Sequence, residues 1–191
     1  MSIEILCAIN LNYLNNINIL YYILMSSHIS EQILNTNLFL SPSDLSAEID
    51  KTIYEKLKKQ LEGLCFEDGY IIKDSITIIK RSIGGIQTRN NQSQVKYIVN
   101  YKASVISPNN GDTIETYVNN INKMGVVSYI KLKDEDTSEN SPMIVIIPKE
   151  YFEKSIVNIS DINVGQKLTV KIMDSRVKYN SDKIQAIGSP L

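Results

Sequence analysis

Residues 61–72 read LEGLCFEDGYII, and this stretch decides the fold because a helix ends in it and a strand begins. Gly63 is placed to stop the helix, since glycine adopts the left-handed conformation that closes a helix at little cost. The Asp68-Gly69 pair favours a turn, and a run of Tyr and Ile follows it. The stretch therefore predicts one helix followed directly by a sheet.

The helix expected before Gly63 begins at Pro42 and ends at Glu62. Ser41 is a capping residue, Pro42 suits the first helical position, and Asp44 can complete a capping box. Apolar residues recur every four positions along this segment, at Leu45, Ile49, Ile53, Leu57 and Leu61. One apolar stripe of this kind is typical of a helix that packs on a core.

Segments rich in Ile, Val and Tyr flank the helix and predict a small antiparallel sheet. The predicted strands are 36–40, 69–80 and 94–106. Between the last two, residues 81–93 read RSIGGIQTRNNQS, a polar and glycine-rich sequence that predicts an exposed loop. Residues 35–107 are therefore expected to form an α+β module with one helix on a small antiparallel sheet.

A break at residues 107–111, SPNNG, predicts a domain boundary because proline and Asn-Gly interrupt strands and form turns. Beyond it a short connector is expected at 148–152, and an acidic loop at 133–142. The predicted strands are 112–119, 124–132, 143–147, 166–174 and 183–187. Five strands with a connector after the third predict an OB-fold barrel over residues 108–191.

The composition excludes several classes of function. Lys and Arg total 20 against 21 acidic residues, so contact with nucleic acid requires a local basic patch. Cys7, Cys65 and the single His28 lie far apart, so we expect neither a zinc site nor a disulfide, and a reducing intracellular compartment. No nucleotide-binding or catalytic motif is found, so we expect no active site and no cofactor. The acidic run 134–136 indicates a solvated loop rather than a metal site.

Residues 1–24 read MSIEILCAINLNYLNNINILYYIL, an apolar run interrupted by five asparagines. Amide side chains are costly inside a bilayer, so we expect no membrane span. Glu4, with no basic residue beside it, is untypical of a signal peptide. Residues 1–34 are interpreted as a leader, either an amphipathic extension packed on the body or a segment preceding a true translation start at Met25.

The order and spacing of three stretches resemble the seventh subunit of eukaryotic RNA polymerase II and its archaeal stalk counterpart. The stretches are LEGLCFEDGYI, VKYIVNYKASVISPNNGD and the terminal QAIGS, within residues 36–191. The scarcity of arginine and the abundance of isoleucine and asparagine fit AT-rich coding DNA, as in some giant viruses, protists and low-GC bacteria, so the protein resembles in particular a giant-virus version. In that family the subunit is non-catalytic and pairs with a helical fourth subunit to form a stalk beside the RNA exit channel.

The resemblance implies a role in transcription, including its initiation. The expected partners are the large subunits of the core RNA polymerase, a helical stalk partner if one exists, and nascent single-stranded RNA. The expected location is the nucleus for a cellular eukaryotic protein, and the host cytoplasm or the virion for a viral one. No cofactor is implied, since the polymerase supplies the metal and the chemistry.

The resemblance assigns core docking to the loop at the tip of the first module. The matching position here is the loop 82–93, in which Ile83, Gly84, Gly85 and Ile86 are the candidate contacts. Isoleucine supplies area that can be buried in a pocket, and glycine allows close approach of the backbone. Without the resemblance, the same residues indicate an ordinary hairpin connection.

The barrel half resembles the RNA-binding repeat named after the largest protein of the bacterial small ribosomal subunit. Gly111, Gly125 and Gly165 stand where that repeat has its glycines. RNA-binding members commonly carry aromatic residues beside the second-strand glycine and on the third strand, where bases stack. Residues 124–127 and 143–147 hold none here. The remaining candidates for RNA contact are Tyr117, Tyr129, Lys131, Lys133, Lys171, Arg176, Lys178 and Tyr179.

Each of these candidates is alternatively a solvated strand residue or a half-buried tyrosine. Two further functions therefore stay open beside the stalk subunit. One is a free-standing adaptor that binds single-stranded RNA through its OB-fold, and the other is a scaffold that never touches RNA. The adaptor predicts measurable RNA affinity of the isolated chain with a steep salt dependence, because phosphate neutralisation would dominate its binding.

Overall fold

The computed structural model describes residues 28–191 except for 46, 90–91, 154 and 156. These residues divide into two units. The N-terminal unit comprises residues 31–107 and 177–183, and the barrel unit comprises 28–30, 108–176 and 184–191. One division falls between Ser107 and Pro108, within the SPNNG break. The interpretation of residues 1–24 lies outside the described residues.

The N-terminal unit is built around one long strand. β6 is flanked by β1 and β3, β2 pairs with β3, and β4 and β5 pair with successive parts of β6. The elements in chain order are β1 (Ile29–Leu40), a 3₁₀ turn (Pro42–Asp44), α1 (Ile49–Leu61), β2 (Cys65–Phe66), β3 (Gly69–Ile71), β4 (Thr77–Arg81), β5 (Gly85–Arg89) and β6 (Gln92–Ile106).

The apolar stripe of α1 packs on one face of this sheet. Ile53, Leu57 and Leu61 are buried, as the four-residue spacing predicts. The facing side chains belong to alternate positions of β1 and β6, namely Leu38, Leu40, Tyr97, Val99, Tyr101, Ala103 and Val105. The predicted arrangement of one helix on a small antiparallel sheet is confirmed.

The predicted start of the helix is wrong. Residues 42–44 form only a 3₁₀ turn, Leu45 is extended and 43% exposed, and α1 begins at Ile49. The Asp44 carboxylate accepts hydrogen bonds from the backbone N–H (3.0 Å) and the hydroxyl (2.7 Å) of Ser41. Lys56 donates to the same carboxylate at 2.9 Å. The predicted capping residues therefore close a separate turn that is tied to α1 through Lys56.

Two strand predictions need correction. β1 begins at Ile29 rather than at residue 36, so residues 29–34 belong to a strand and not to a leader. The predicted strand 69–80 is split into β3 and β4, because Asp74 adopts φ 59° and Ser75 donates to the carbonyl of Ile72 at 2.6 Å. A left-handed residue reverses the chain locally and ends the regular strand.

The predicted loop at 81–93 contains a strand. Residues 85–89 form β5, which pairs with β6 from Gly85 opposite Lys96 to Arg89 opposite Gln92. This strand was not predictable from the sequence, because every described side chain from 85 to 88 is exposed and the segment has no alternating apolar pattern. The backbone ladder to β6 alone makes this segment a strand.

The barrel unit is a closed five-stranded barrel, consistent with the predicted OB-fold. Its strands run in the order β10-β11-β9-β8-β7, and only β9 and β11 are parallel neighbours. The elements are β7 (Thr113–Asn122), β8 (Gly125–Tyr129), β9 (Met143–Pro148), α2 (Lys149–Phe152), a 3₁₀ turn (Ile159–Asp161), β10 (Lys167–Arg176) and β11 (Ile184–Pro190). The connector predicted at 148–152 is α2.

Alternating side chains fill the barrel. On β9, Met143, Val145 and Ile147 point inward and are fully buried, and β10 contributes Val170 and Ile172 in the same way. Two-residue periodicity of this kind is what made the five strands predictable. Within the described part of the chain, no helix is long and apolar enough to cross a membrane.

Gly125 lets β8 begin directly against β9. It adopts φ 142°, and a Cβ atom there would lie 2.1 Å from the carbonyl oxygen of Ile147. Gly69 plays the same part in the N-terminal unit, with φ 135° and a Cβ position 2.3 Å from the carbonyl oxygen of Ile106. Neither position has room for any other residue.

Candidate functional site

Two tyrosines form a pair on the outer surface of the barrel. Tyr117 on β7 and Tyr129 on β8 are direct cross-strand partners, with ring centroids 6.2 Å apart and ring planes inclined by 39°. Both are half-buried, so each presents part of its ring to solvent. This aromatic pair brings together two of the residues predicted to contact RNA.

Lys131 covers part of the pair. Its Nζ lies 4.7 Å from the centroid of the Tyr117 ring and donates to the carbonyl oxygen of Asp134 at 3.2 Å. A cation at this position is attracted by the ring quadrupole, which contributes roughly 0.5–1 kcal/mol at an exposed site. A base stacking on Tyr117 must displace this ammonium, whereas Tyr129 carries no such cation in the described structure.

Lys167 lies on the other side of Tyr117, on β10, and was missed by the sequence analysis. It forms an ion pair with Glu115 at 2.7 Å, and both side chains are about half exposed, so solvent screens the pair. The alternation Lys167, Thr169, Lys171 on one face of β10 was the signal that could have found it.

The other predicted barrel residues are more distant from the pair. Lys171 is exposed four positions beyond Lys167, about 13 Å along the strand. Arg176 lies about 14 Å around the barrel from Tyr129, because β9 and β11 lie between the two residues. Lys133 is exposed in the turn after β8, where its backbone N–H donates to the Asp136 carboxylate at 2.8 Å. The pair therefore has basic neighbours but no continuous basic groove.

The face formed by β8 and β9, on which OB-folds commonly bind oligonucleotides, is mostly aliphatic. Beside Tyr129 it presents Val127, Ile144 and Ile146, the last of them 45% exposed. Val127, Ile146 and Ile187 of β11 are in direct register across three strands. The aromatic platform expected of an RNA-binding repeat is absent from this described face.

Lys178 and Tyr179 lie in the N-terminal unit rather than with the barrel residues. They belong to the connection between β10 and β11, one of the two loops that border the ligand surface in OB-folds. Tyr179 packs edge-on against Phe66, with ring centroids 5.4 Å apart. The neighbouring backbone pairs with Cys65, whose N–H donates to Ser181 (2.7 Å) and whose carbonyl accepts from Asn180 (2.8 Å). This loop is thus held within the N-terminal unit.

The four predicted docking residues lie where β4 passes into β5, alongside residues 95–98 of β6. We call β4, β5 and the facing part of β6, residues 77–102, the tip hairpin. Its side chains Ile83 and Ile86 are 93% and 81% exposed, which places them among the three most exposed large apolar residues described. Between them, Gly84 packs closely on the hairpin while Gly85 faces open space.

The base of the tip hairpin is fixed to α1. Arg81 donates to the Asp50 carboxylate and lies 5.6 Å from the centroid of the Tyr97 ring. The hydrogen bond from Arg81 lowers the pKa of Asp50, and the same bond raises the pKa of the Arg81 guanidinium. Both groups therefore stay charged over the ordinary pH range.

Neither metal chemistry nor thiol chemistry is favoured by the described residues. No group of three or more His, Cys, Asp or Glu side chains in this part of the chain could hold a metal ion. Burial raises the pKa of Cys65 to about 11, so its thiol remains protonated at neutral pH and is a poor nucleophile.

No known protein-family model matches this chain.

Proposed function

We propose that this protein is a non-catalytic stalk subunit of a multisubunit DNA-directed RNA polymerase. It docks on the core enzyme through the tip hairpin and contacts nascent RNA through the barrel. The observation that carries the proposal is the exposure of Ile83 and Ile86 where β4 passes into β5, in a chain that also contains an OB-type barrel. Exposed large apolar side chains of this kind mark interaction sites in soluble proteins.

The barrel supports weak contact with RNA that tolerates many sequences. Stacking of a base on an aromatic ring contributes roughly 1–3 kcal/mol and discriminates little between bases. The barrel has one aromatic pair, one of whose rings carries Lys131, and an acidic residue, Glu115, beside Lys167. Such a surface suits a guide for an emerging transcript better than a site that retains RNA.

Native affinity capture tests the assignment. The tagged full-length chain is expressed in its natural source, and co-purifying chains are identified by mass spectrometry. We expect the two largest RNA polymerase chains in the captured material, together with any stalk partner. Their absence from repeated native captures would overturn the proposal.

RNA crosslinking in active elongation complexes tests the role of the barrel. We expect crosslinks from nascent transcript to the barrel, reduced severalfold in Tyr129→Ala. Tyr54→Ala is the matched control, because Tyr54 is 36% exposed on α1 and lies outside the barrel. Absence of any barrel crosslink in an active complex would leave a purely structural role.

The aromatic pair also favours a second candidate, a free-standing adaptor that binds single-stranded RNA. Filter binding of the isolated chain to an oligonucleotide separates the two. Tight binding that weakens steeply with salt supports the adaptor, because release of counterions from phosphate dominates such binding. The stalk proposal predicts feeble binding by the isolated chain.

A further inference from the structure

The tip hairpin lies in the most one-sided stretch of charge in the chain. Between Asp74 and Asp112 the sequence has five basic residues and no acidic one, although the whole chain has a net charge of −1. Two of the three arginines of the chain fall in this stretch. The rest of the chain therefore carries a net charge of −6 (−1 minus +5), and the potential around the hairpin is positive by contrast.

Two of these five basic residues are neutralised by acidic residues from other elements. Arg81 pairs with Asp50 of α1, and Lys102 pairs with Glu31 of β1 at 2.6 Å. Lys80 and Lys96 lie within ion-pair distance of no acidic group in the described residues. Arg89 adds a further basic residue to β5 in the sequence. The two lysines without an acidic partner therefore lie on either side of the connection 82–84 between β4 and β5.

These lysines share a face with an exposed isoleucine. Lys80 stands opposite Asn100 and Lys96 opposite Gly85, so both point to the side of β6 that carries Ile98. Ile98 is 48% exposed. Ile86 stands opposite Val95, and alternation along β6 places it on the other side of the sheet. Apolar side chains are therefore offered on both faces of the hairpin.

Close packing fixes the turn that presents Ile83. A Cβ atom at Gly84 would lie 2.7 Å from Cγ1 of Val95 and 2.8 Å from the ring of Tyr97. The turn can lie against Tyr97 only because residue 84 has no side chain. Gly85, by contrast, has no atom within 4 Å of its Cβ position. The two adjacent glycines thus have different roles, and only Gly84 is required by packing.

We propose that the tip hairpin inserts into a pocket of a protein partner that is apolar inside and acidic at its rim. Ile83 and Ile86 enter the apolar part, and Lys80 and Lys96 meet the acidic groups. The identity of the partner as the polymerase core rests on the proposed function; the chemistry of the pocket rests on the hairpin alone. Charge complementarity argues for the acidic rim, because uncompensated lysines beside buried isoleucines require opposite charge on the partner.

A nucleic acid fits this surface less well than a protein does. Single-stranded nucleic acids bind without sequence preference where aromatic rings interleave with basic groups. The tyrosines of the hairpin, Tyr97 and Tyr101, are 8% and 3% exposed and face α1. The exposed side chains between the lysines are aliphatic, which suits a protein pocket.

The test compares tagged full-length variants in native capture, with the two largest polymerase chains quantified by mass spectrometry. Ile83→Asp, Ile86→Asp and the double variant Lys80→Glu/Lys96→Glu are each expected to lower capture at least about tenfold. Lys80→Arg/Lys96→Arg is expected to retain capture within about twofold, because it keeps the charge. Matched controls are Ile33→Asp on β1, where the isoleucine is 72% exposed, and Lys51→Glu on α1.

Salt and the glycine pair supply two further readouts. Raising salt from about 0.1 M to about 0.5 M is expected to weaken capture of the unmodified chain more than the residual capture of Lys80→Glu/Lys96→Glu, which has lost the positive charge. Gly84→Ala is expected to lower capture while Gly85→Ala does not. Circular dichroism on each variant shows whether the fold is retained.

The outcomes separate this inference from the function on which it rests. If the unmodified chain and the Lys80→Glu/Lys96→Glu variant capture equal amounts of polymerase, the proposal of an acidic rim is wrong. Polymerase retained by both isoleucine variants would overturn insertion of the tip. Absence of polymerase from the unmodified capture overturns the proposed function, and a photo-crosslinker at position 86 then decides the inference. Crosslinks to an acidic protein surface support it, whereas crosslinks to RNA, or none, overturn it.

Discussion

The tip hairpin and the outer face of the barrel are both formed by strands, but they differ in whether their lysines have partners within the chain. On the barrel, Lys167 is paired with Glu115, and Lys131 rests on the ring of Tyr117. On the hairpin, Lys80 and Lys96 have no acidic neighbour in the described structure and stand beside exposed isoleucines. A surface whose charges are internally satisfied favours weak and adaptable contact, whereas uncompensated charge beside apolar groups favours one complementary partner.

The two surfaces also differ in how they are held in place. The barrel face is part of a closed sheet, in which every strand has two neighbours. The hairpin depends on the ladder from β5 to β6, on the contact of Arg81 with Asp50, and on the packing of Gly84 against Tyr97. Substitutions in one unit should therefore leave the other surface unchanged.

The largest loss of stability is expected when the glycine at the start of a strand is substituted, and each unit has one such glycine. Gly125→Ala in the barrel and Gly69→Ala in the N-terminal unit should each destabilise their own unit by about 4 kcal/mol or more, because a Cβ meets a backbone carbonyl and the positive φ is strained. Hydrogen exchange locates the loss in one unit or the other. Gly165→Ala, with φ 85° but open space around its Cβ position, should cost about 1 kcal/mol.

The second-largest loss of stability is expected when a buried side chain of the apolar stripe of α1 is truncated. Leu57→Ala removes a fully buried side chain and should lower the free energy of unfolding by about 3 kcal/mol through lost burial and a cavity. Denaturant unfolding measures the change, and Ile79→Ala at a 50% exposed position is the control. A loss of protection in the barrel strands equal to that in the sheet of the N-terminal unit would contradict the division into two units.

A buried hydroxyl in the barrel gives a smaller effect. Thr116 Oγ1 donates to the carbonyl oxygen of Leu168 at 3.0 Å from a fully buried position. Thr116→Val keeps the shape but leaves that carbonyl without its side-chain donor, and should cost about 1 kcal/mol. The exposed Thr113→Val on the same strand is the control. Equal stability of the two variants would show that the hydroxyl contributes nothing.

The smallest expected effect is a pH dependence in the barrel unit. Burial lowers the pKa of His28 from 6.5, and the charge of Asp112 opposes that shift only in part. Because the unfolded chain then binds more protons below about pH 6.5, stability should fall as the pH is lowered through the depressed pKa. Unfolding midpoints at pH 7.5 and 5.5 measure the slope, and His28→Leu should reduce it. An unchanged slope in that variant would assign the pH dependence to carboxylates.

The barrel was largely predictable from the sequence, and the tip hairpin was not. Barrel strands alternate inward and outward residues, so period and turn glycines located all five of them. β5 has no such pattern, because its described side chains are exposed and its pairing comes from β6 alone. At the start of α1, a valid capping pattern at Ser41 and Asp44 served a separate 3₁₀ turn, which local sequence cannot distinguish from a helix start.

The candidate site was predictable only in part. Spacing along β7 and β8 cannot reveal that Tyr117 and Tyr129 are direct partners, since register depends on the bulge between Val118 and Asn120. Lys178 and Tyr179 were grouped with the barrel because they follow β10 directly in sequence. Their place depends on pairing with Cys65, some 115 positions earlier in the chain, and such long-range contacts leave no local signal.

The segment 177–183 has a consequence for dissecting this protein. A fragment that ends at Ser107 would lack the strand connection that satisfies both backbone groups of Cys65 and covers Phe66. A fragment that begins at Pro108 would keep that connection but deprive it of those bonds. Neither fragment is therefore complete when the chain is cut between residues 107 and 108. An N-terminal unit prepared on its own must also include the segment 177–183.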